Sequence, residues 1–178
     1  MPRPQQDWEA RTENTFIAEQ LDYDREAEHA LAEEHIRLLT DEQRAAFTHI
    51  MESITSAEGG VFFLNGPGGA GKTFVYKTIC HQAHGKMVLC VASSGIASLL
   101  LPGGRTAHSR FKIPVENLHG ESNCNVPKES ALAAMLRSVV AIIWDEAANQ
   151  HRWAMEAVDR LLQDLRNDPR PFGGVAVV

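Results

Sequence analysis

The stretch Val61-Phe62-Phe63-Leu64-Asn65-Gly66-Pro67-Gly68-Gly69-Ala70-Gly71-Lys72-Thr73 decides the fold. Its first five residues are mostly β-branched, aromatic or aliphatic, which predicts a buried strand over 61–65. The next eight fit the pattern G-x-x-x-x-G-K-[ST]. Phe74-Val75-Tyr76-Lys77-Thr78-Ile79-Cys80 then run on as a helix, so the pattern lies between a strand and a helix, as its chemistry requires. Phosphate oxygens need several donors close together, and backbone amides supply them only where no Cβ intrudes. Four of the eight loop residues are glycine, which permits left-handed turns and close approach. The helix start adds amides and the positive end of a dipole. Gly66, Pro67, Gly68, Gly69, Ala70, Gly71, Lys72 and Thr73 are therefore candidate ATP-binding residues. Lys72 is suited to the β and γ phosphates, and Thr73 to placing its hydroxyl on Mg²⁺.

Working outward, Thr40-Asp41-Glu42-Gln43 has the form of a capping box, and Phe47, Ile50, Met51 and Ile54 follow at helical spacing. Gly59-Gly60 ends that helix. Downstream, Met87–Ala92 predicts a second buried strand, followed by Ser93-Ser94-Gly95, a short helix over 96–101 and the stop Pro102-Gly103-Gly104. Residues 105–127 read as loop with short turns, and 128–138 as helix. A third strand, Val139-Val140-Ala141-Ile142-Ile143-Trp144, runs into Asp145-Glu146. A helix over Arg152–Arg166 follows, with Met155, Val158, Leu161, Leu162 and Leu165 as its apolar stripe. Val175–Val178 opens a fourth strand. Buried strands alternating with amphipathic helices define an α/β fold with a mainly parallel sheet.

Ligands of open parallel sheets gather at the carboxyl ends of the strands. An apolar strand that delivers Asp145-Glu146 to such an end is the expected complement of the loop. Asp145 would share the Mg²⁺ shell with Thr73, and Glu146 would polarise an attacking water as general base, Lys72 completing the catalytic set. The bland alternative is a solvated strand end that caps the next helix.

The totals are those of a globular chain: 178 residues, 44% hydrophobic and 22% charged, with a formal net charge of −6. The charge is uneven. Residues 1–60 hold 14 acidic residues against 5 arginines, whereas 61–178 hold 12 basic against 9 acidic. A mildly basic nucleotide-binding part behind an acidic leader permits a polyanionic partner. No apolar run approaches a membrane span, and the polar start does not resemble a secretory signal. Cys80, Cys90 and Cys124 form no metal-ligand spacing and read as reduced thiols of an intracellular protein, the first two in the core. Residues 1–37 form an acidic arm, with a helix expected over 24–38 and loose packing on a domain spanning 38–178.

These residues also carry a family resemblance. Leu39-Thr40-Asp41-Glu42-Gln43-Arg44-Ala45-Ala46-Phe47 resembles the Q motif of the petite-integration-frequency (Pif) type of ATP-dependent DNA helicases, and Gly66–Thr73 resembles their motif I. Ala92-Ser93-Ser94-Gly95-Ile96-Ala97 with Gly103-Gly104-Arg105-Thr106-Ala107-His108-Ser109 resembles their motif Ia and the segment after it, also as found in helicases of Helitron transposons. Ile142-Ile143-Trp144-Asp145-Glu146-Ala147 resembles motif II. The likeness runs from about residue 38 to Val178 and implies a RecA-like P-loop domain of superfamily one, moving 5′→3′ on single-stranded DNA. It implies that Gln43 reads the adenine edge; the rival role for Gln43 is local, as the third residue of the capping box. It implies that Ser93, Ser94, Gly95, Thr106, His108 and Ser109 contact DNA; the rival there is a polar loop that caps short helices.

Nuclear location and work in DNA repair, recombination and telomere maintenance follow from the resemblance alone. Ala70 and Ala148 depart from residues common in relatives. The motif III expected just after Val178, and the second RecA-like domain with its arginine fingers, are not in the sequence. The expectation is a truncated chain that binds ATP·Mg²⁺ but hydrolyses it poorly and does not unwind DNA alone. Two rivals remain at this level: a P-loop ATPase of another kind, and an inactive remnant acting as a binding module.

Overall fold

The computed structural model describes residues 14–21 and 24–178, so the first part of the acidic arm expected over 1–37 lies outside the described residues. Alternating apolar side chains build a parallel sheet covered on both faces. Its strands are β1 (Gly60–Val61), β2 (Met87–Ala92), β3 (Arg105–Thr106), β4 (Val139–Asp145) and β5 (Ala176–Val177), in the order β1-β5-β4-β2-β3 with every pairing parallel. The two-residue period of a strand sorts the core. Leu89, Val91, Ile142, Trp144 and Val177 point to one face, against helices α7 (Ala131–Arg137) and α8 (Arg152–Arg166). Cys90, Ala141, Ile143, Ala176 and Val178 point to the other, against α3 (Asp41–Ser56) and α4 (Lys72–Gln82). Fully burying an Ile or Leu at such a position contributes roughly 1.5–3 kcal/mol.

The helix expected to start at Thr40 and end before Gly59-Gly60 forms as Asp41–Ser56, and the one over 152–166 forms with its signals in place. Thr40 caps α3 in a reciprocal capping box with Gln43, and the apolar stripe of α8 is buried as Val158, Leu161, Leu162 and Leu165. Several expectations are corrected. The strand over 61–65 pairs only at Gly60 and Val61, with one further bond from the Phe62 amide to the Val177 carbonyl at 2.7 Å. Phe63 is 78% exposed. Residues 105–127 are not all loop: Arg105-Thr106 form the edge strand β3, and α6 (Ala107–Phe111) follows.

Loose packing was expected of the N-terminal arm, and the part of it that is described, residues 14–21 and 24–37, packs on the domain instead. Asn14 precedes α1 (Thr15–Leu21), whose Phe16 and Ile17 pack on the α7/α8 side of the core. Helix α2 (Arg25–Leu38), capped by Asp24, lies on α4 and buries Ala32. Across that seam His81 Nδ1 meets Glu28 Oε2 at 2.5 Å, and the His35 ring packs on Phe74 at 4.6 Å. Burial, then the neighbouring His81, holds His35 below its ordinary range. Alternating Glu and Ala in α2 gave no sign of a docking face.

The turn between α3 and β1 is latched to the turn between α8 and β5. Arg170 donates from Nε to both oxygens of Asp168 at 3.0 Å, and from Nη1 to the Glu58 carbonyl at 2.9 Å. The paired guanidinium holds the Asp168 carboxyl down at about 2, below its ordinary 3.8. A lowered carboxyl contributes stability above its unfolded value and loses it as pH falls through the folded one. Asp168→Asn should therefore lower the urea midpoint at pH 7, and the difference from the parent should close as pH falls from about 4 towards 2.

Candidate active site

The loop between β1 and α4 is shaped by two left-handed glycines, Gly69 at φ +80° and Gly71 at φ +79°. Gly71 is the N-cap of α4, and no side chain caps the helix there, so its first amides face the loop. A Cβ on Gly71 would stand 2.5 Å from Nε2 of Gln43. That amide is there for a reason: Gln43 Nε2 donates to the Ala70 carbonyl at 3.0 Å, while Oε1 accepts from the Thr40 amide at 3.1 Å. Gln43 thus completes its capping box and fastens α3 to the loop 27 residues away. Lys72 is folded across the loop, its Nζ donating to the Gly66 carbonyl at 2.6 Å and the Pro67 carbonyl at 3.1 Å.

Gly66 and Lys72 share a cleft of about 260 Å³ with Asp145 and Glu146, at the carboxyl end of β4. Phe63, Tyr76, Trp144 and Met155 supply its apolar wall. Thr73, beside Lys72 in the first turn of α4, is half-buried and is not among the residues lining the cleft. Tyr76 was not anticipated as a site residue. Burial, then the charge of Asp145, pushes its hydroxyl up to about 12, and both residues line the cleft. The sequence signal of Tyr76 was hidden, because an apolar helix position with an aromatic residue reads as core.

Glu146 sits in left-handed backbone at φ +53°, uncommon for a residue with a Cβ. Its peptide is held from both sides. Its amide donates to Asp145 Oδ1 at 3.0 Å, and its carbonyl accepts from the Ser93 hydroxyl at 2.9 Å. Ser93, expected to face DNA, is therefore tied to the carboxylate pair. Ser94 caps α5 (Gly95–Ser98) by accepting from the Ala97 amide, and Thr106 caps α6 by accepting from the Ser109 amide. These are the local capping roles the sequence offered as the rival. The register Ala92↔Thr106 nevertheless brings the segments that begin at Ser93 and at Thr106 together at the carboxyl ends of β2 and β3.

A phosphate-loop motif, a strand-end carboxylate pair and a parallel sheet together define a P-loop α/β domain of the RecA-like class. The model of the PIF1-like helicase family matches residues 38–178, and the chain belongs to that family. It is similar to the ATP-dependent DNA helicase Pif1 of Bdellovibrio bacteriovorus, at 32% identity over 117 residues, which is 65% of this chain and 26% of that protein. It is also similar to the Psychrobacter sp. protein of the same name, at 30% identity over 65% of this chain and 18% of the relative. The crystal structure of the Bacteroides Pif1 helicase in complex with ADP-AlF3 and single-stranded DNA superposes with a TM-score of 0.65 at 29% identity. The match covers 78% of this chain and 31% of that one. The chain spans about a quarter or less of the length of the two bacterial relatives.

The contact between Gly71 and Gln43 can be measured. Alanine at Gly71 meets left-handed strain and pushes away the Gln43 amide, at a cost of about 2–3 kcal/mol in urea unfolding. Gln43→Ala alone should cost about 1 kcal/mol. The double variant should fall short of additivity by roughly 1 kcal/mol, because the bond to Ala70 is lost only once.

Proposed function

We propose that this chain carries the ATP-hydrolysing core of an ATP-dependent DNA helicase, acting on single-stranded DNA. The observation that carries this is the shared cleft, which Lys72 lines together with Asp145 and Glu146 at the carboxyl end of a strand of a parallel sheet. The relatives' names, and the Bacteroides relative solved with ADP-AlF3 and single-stranded DNA, support the same reading.

In this mechanism the triphosphate takes the amides of Gly68–Thr73, and Lys72 leaves the Gly66 and Pro67 carbonyls for the β and γ phosphates. The oxygen donors of Thr73 and Asp145 suit Mg²⁺, a hard cation that completes its shell from phosphate and water. Among the described residues no group of three His, Cys, Asp or Glu forms a separate cage. When bound, the ion would neutralise phosphate charge. Glu146 orients and deprotonates the attacking water. Gln43 retains one N–H and one lone pair after its two protein bonds, enough to meet an adenine edge.

Ser94, Gly95, Thr106, His108 and Ser109 offer hydroxyl, amide and ring donors to the phosphates of a DNA strand. Ser93 has one proton to give. A DNA phosphate that takes it frees the Glu146 carbonyl, so strand contact and the general base are linked through one hydroxyl. Unwinding, its 5′→3′ direction, nuclear location and work in repair and telomere maintenance belong to the family likeness.

Calorimetry with ATP·Mg²⁺ tests the nucleotide step. Lys72→Ala should weaken binding about 10- to 100-fold through its lost charge-assisted bonds. Glu146→Gln should retain binding while turnover drops about 10²- to 10⁴-fold. An unchanged affinity in Lys72→Ala would overturn the assignment. Ser93→Ala should narrow the ratio of DNA-stimulated to basal turnover while leaving ATP affinity within about twofold of the parent; an unchanged ratio would remove Ser93 from the link.

A further inference from the structure

The three cysteines are well separated in sequence, and the fold brings two of them together. Cys80 lies on α4 and Cys90 on β2, and their sulfurs are 3.3 Å apart. Both stand in the core cluster formed with Val75, Ile79 and Ile143 where α4 packs on the sheet. A disulfide has an S–S length of about 2.05 Å, so each sulfur needs to move by only about 0.6 Å to close one. Cys90 is 2% exposed, whereas Cys80 is half-buried and offers the approach. Cys124 packs with the cluster on the opposite face of the sheet and cannot compete. Neither Cys80 nor Cys90 has a role in the phosphate loop, the carboxylate pair or the strand-end segment. No group of three His, Cys, Asp or Glu among the described residues makes the pair one edge of a metal centre.

We infer that Cys80 and Cys90 form a two-electron redox site, which a peroxide converts into an intramolecular disulfide joining the phosphate-loop helix to strand β2. The chemistry closes in two displacements. The Cys80 sulfur attacks one peroxide oxygen, the O–O bond breaks, and Cys80 becomes a sulfenic acid as one water leaves. The Cys90 sulfur then attacks the Cys80 sulfur, the S–O bond breaks, and the departing hydroxide carries off the Cys90 proton as a second water. Two thiols lose two electrons and two protons, and one hydrogen peroxide becomes two waters. The bond to Cys80, then burial, raises the Cys90 thiol well above its usual range, while the nearby Arg110 charge acts the other way. The product would tie β2, which leads to Ser93, to the helix whose first turn carries Lys72 and Thr73.

The test is exposure of the folded 178-residue chain to hydrogen peroxide, followed by thiol titration, intact mass and peptide mapping. Two of the three thiols should disappear with a monomer mass about 2 Da lower, and one peptide should join Cys80 to Cys90. Dithiothreitol should restore both thiols, and Cys124→Ser should behave like the parent. In Cys90→Ser, dimedone should trap a sulfenic acid at Cys80, with no bridge. Survival of all three thiols, a bridge that includes Cys124, or a Cys80–Cys90 bridge that forms only in urea would each overturn the assignment.

Discussion

One missing Cβ holds the site together. Gly71 turns the chain from the loop into α4 in left-handed backbone, and the space where its side chain would stand belongs to the Gln43 amide. That amide fastens the Ala70 carbonyl to the first turn of α3. Three elements therefore meet at a glycine: the loop, the helix that presents amides to it, and the helix that precedes the sheet. The same amide closes the capping box of α3. The two roles offered by the sequence for Gln43, local and remote, are not exclusive; the side chain has enough donors and acceptors for the box, the loop and a third partner.

The carboxylate end of the cleft rests on a different economy. β4 pairs with β2 along its length, so Ala92 lies beside Asp145 and Ser93 comes level with Glu146. Glu146 adopts a backbone conformation that L-residues enter at a cost, and two bonds hold it there, one from Asp145 and one from Ser93. Strain of this kind persists where neighbours over-determine it, and it collects at sites that have chemistry to do. The alignment of β2 with β3 then sets the segment after Ser93 next to the one after Thr106. Carboxylates, cap hydroxyls and exposed strand-end amides thus share one edge of the sheet, although 53 residues separate Ser93 from Glu146.

The sequence was most legible where local signals were redundant. α8 has bounds set by its apolar stripe, and Thr40 announces α3 through a pattern with one common geometry. It was least legible where partners decide. The extent of β1 is one such case, because strand state is a property of a pair and composition names only one of the two partners. Arg105-Thr106 carry little β signal and become a strand because β2 offers them an edge. α2 shows a weak apolar pattern, and its docking depends on Ala32 and on a histidine-glutamate contact with α4 that spacing could not reveal.

By itself the sequence determined the chemistry available: a glycine-rich loop ending in Lys72-Thr73, and an apolar strand ending in Asp145-Glu146, each legible because donor type and backbone freedom are properties of the residues. Tertiary structure alone decided which groups meet. It put Gln43 on Ala70, Ser93 on Glu146 and Cys80 against Cys90. Those contacts join residues on different elements, and their distances follow from strand order, register and helix packing, which no local spacing encodes.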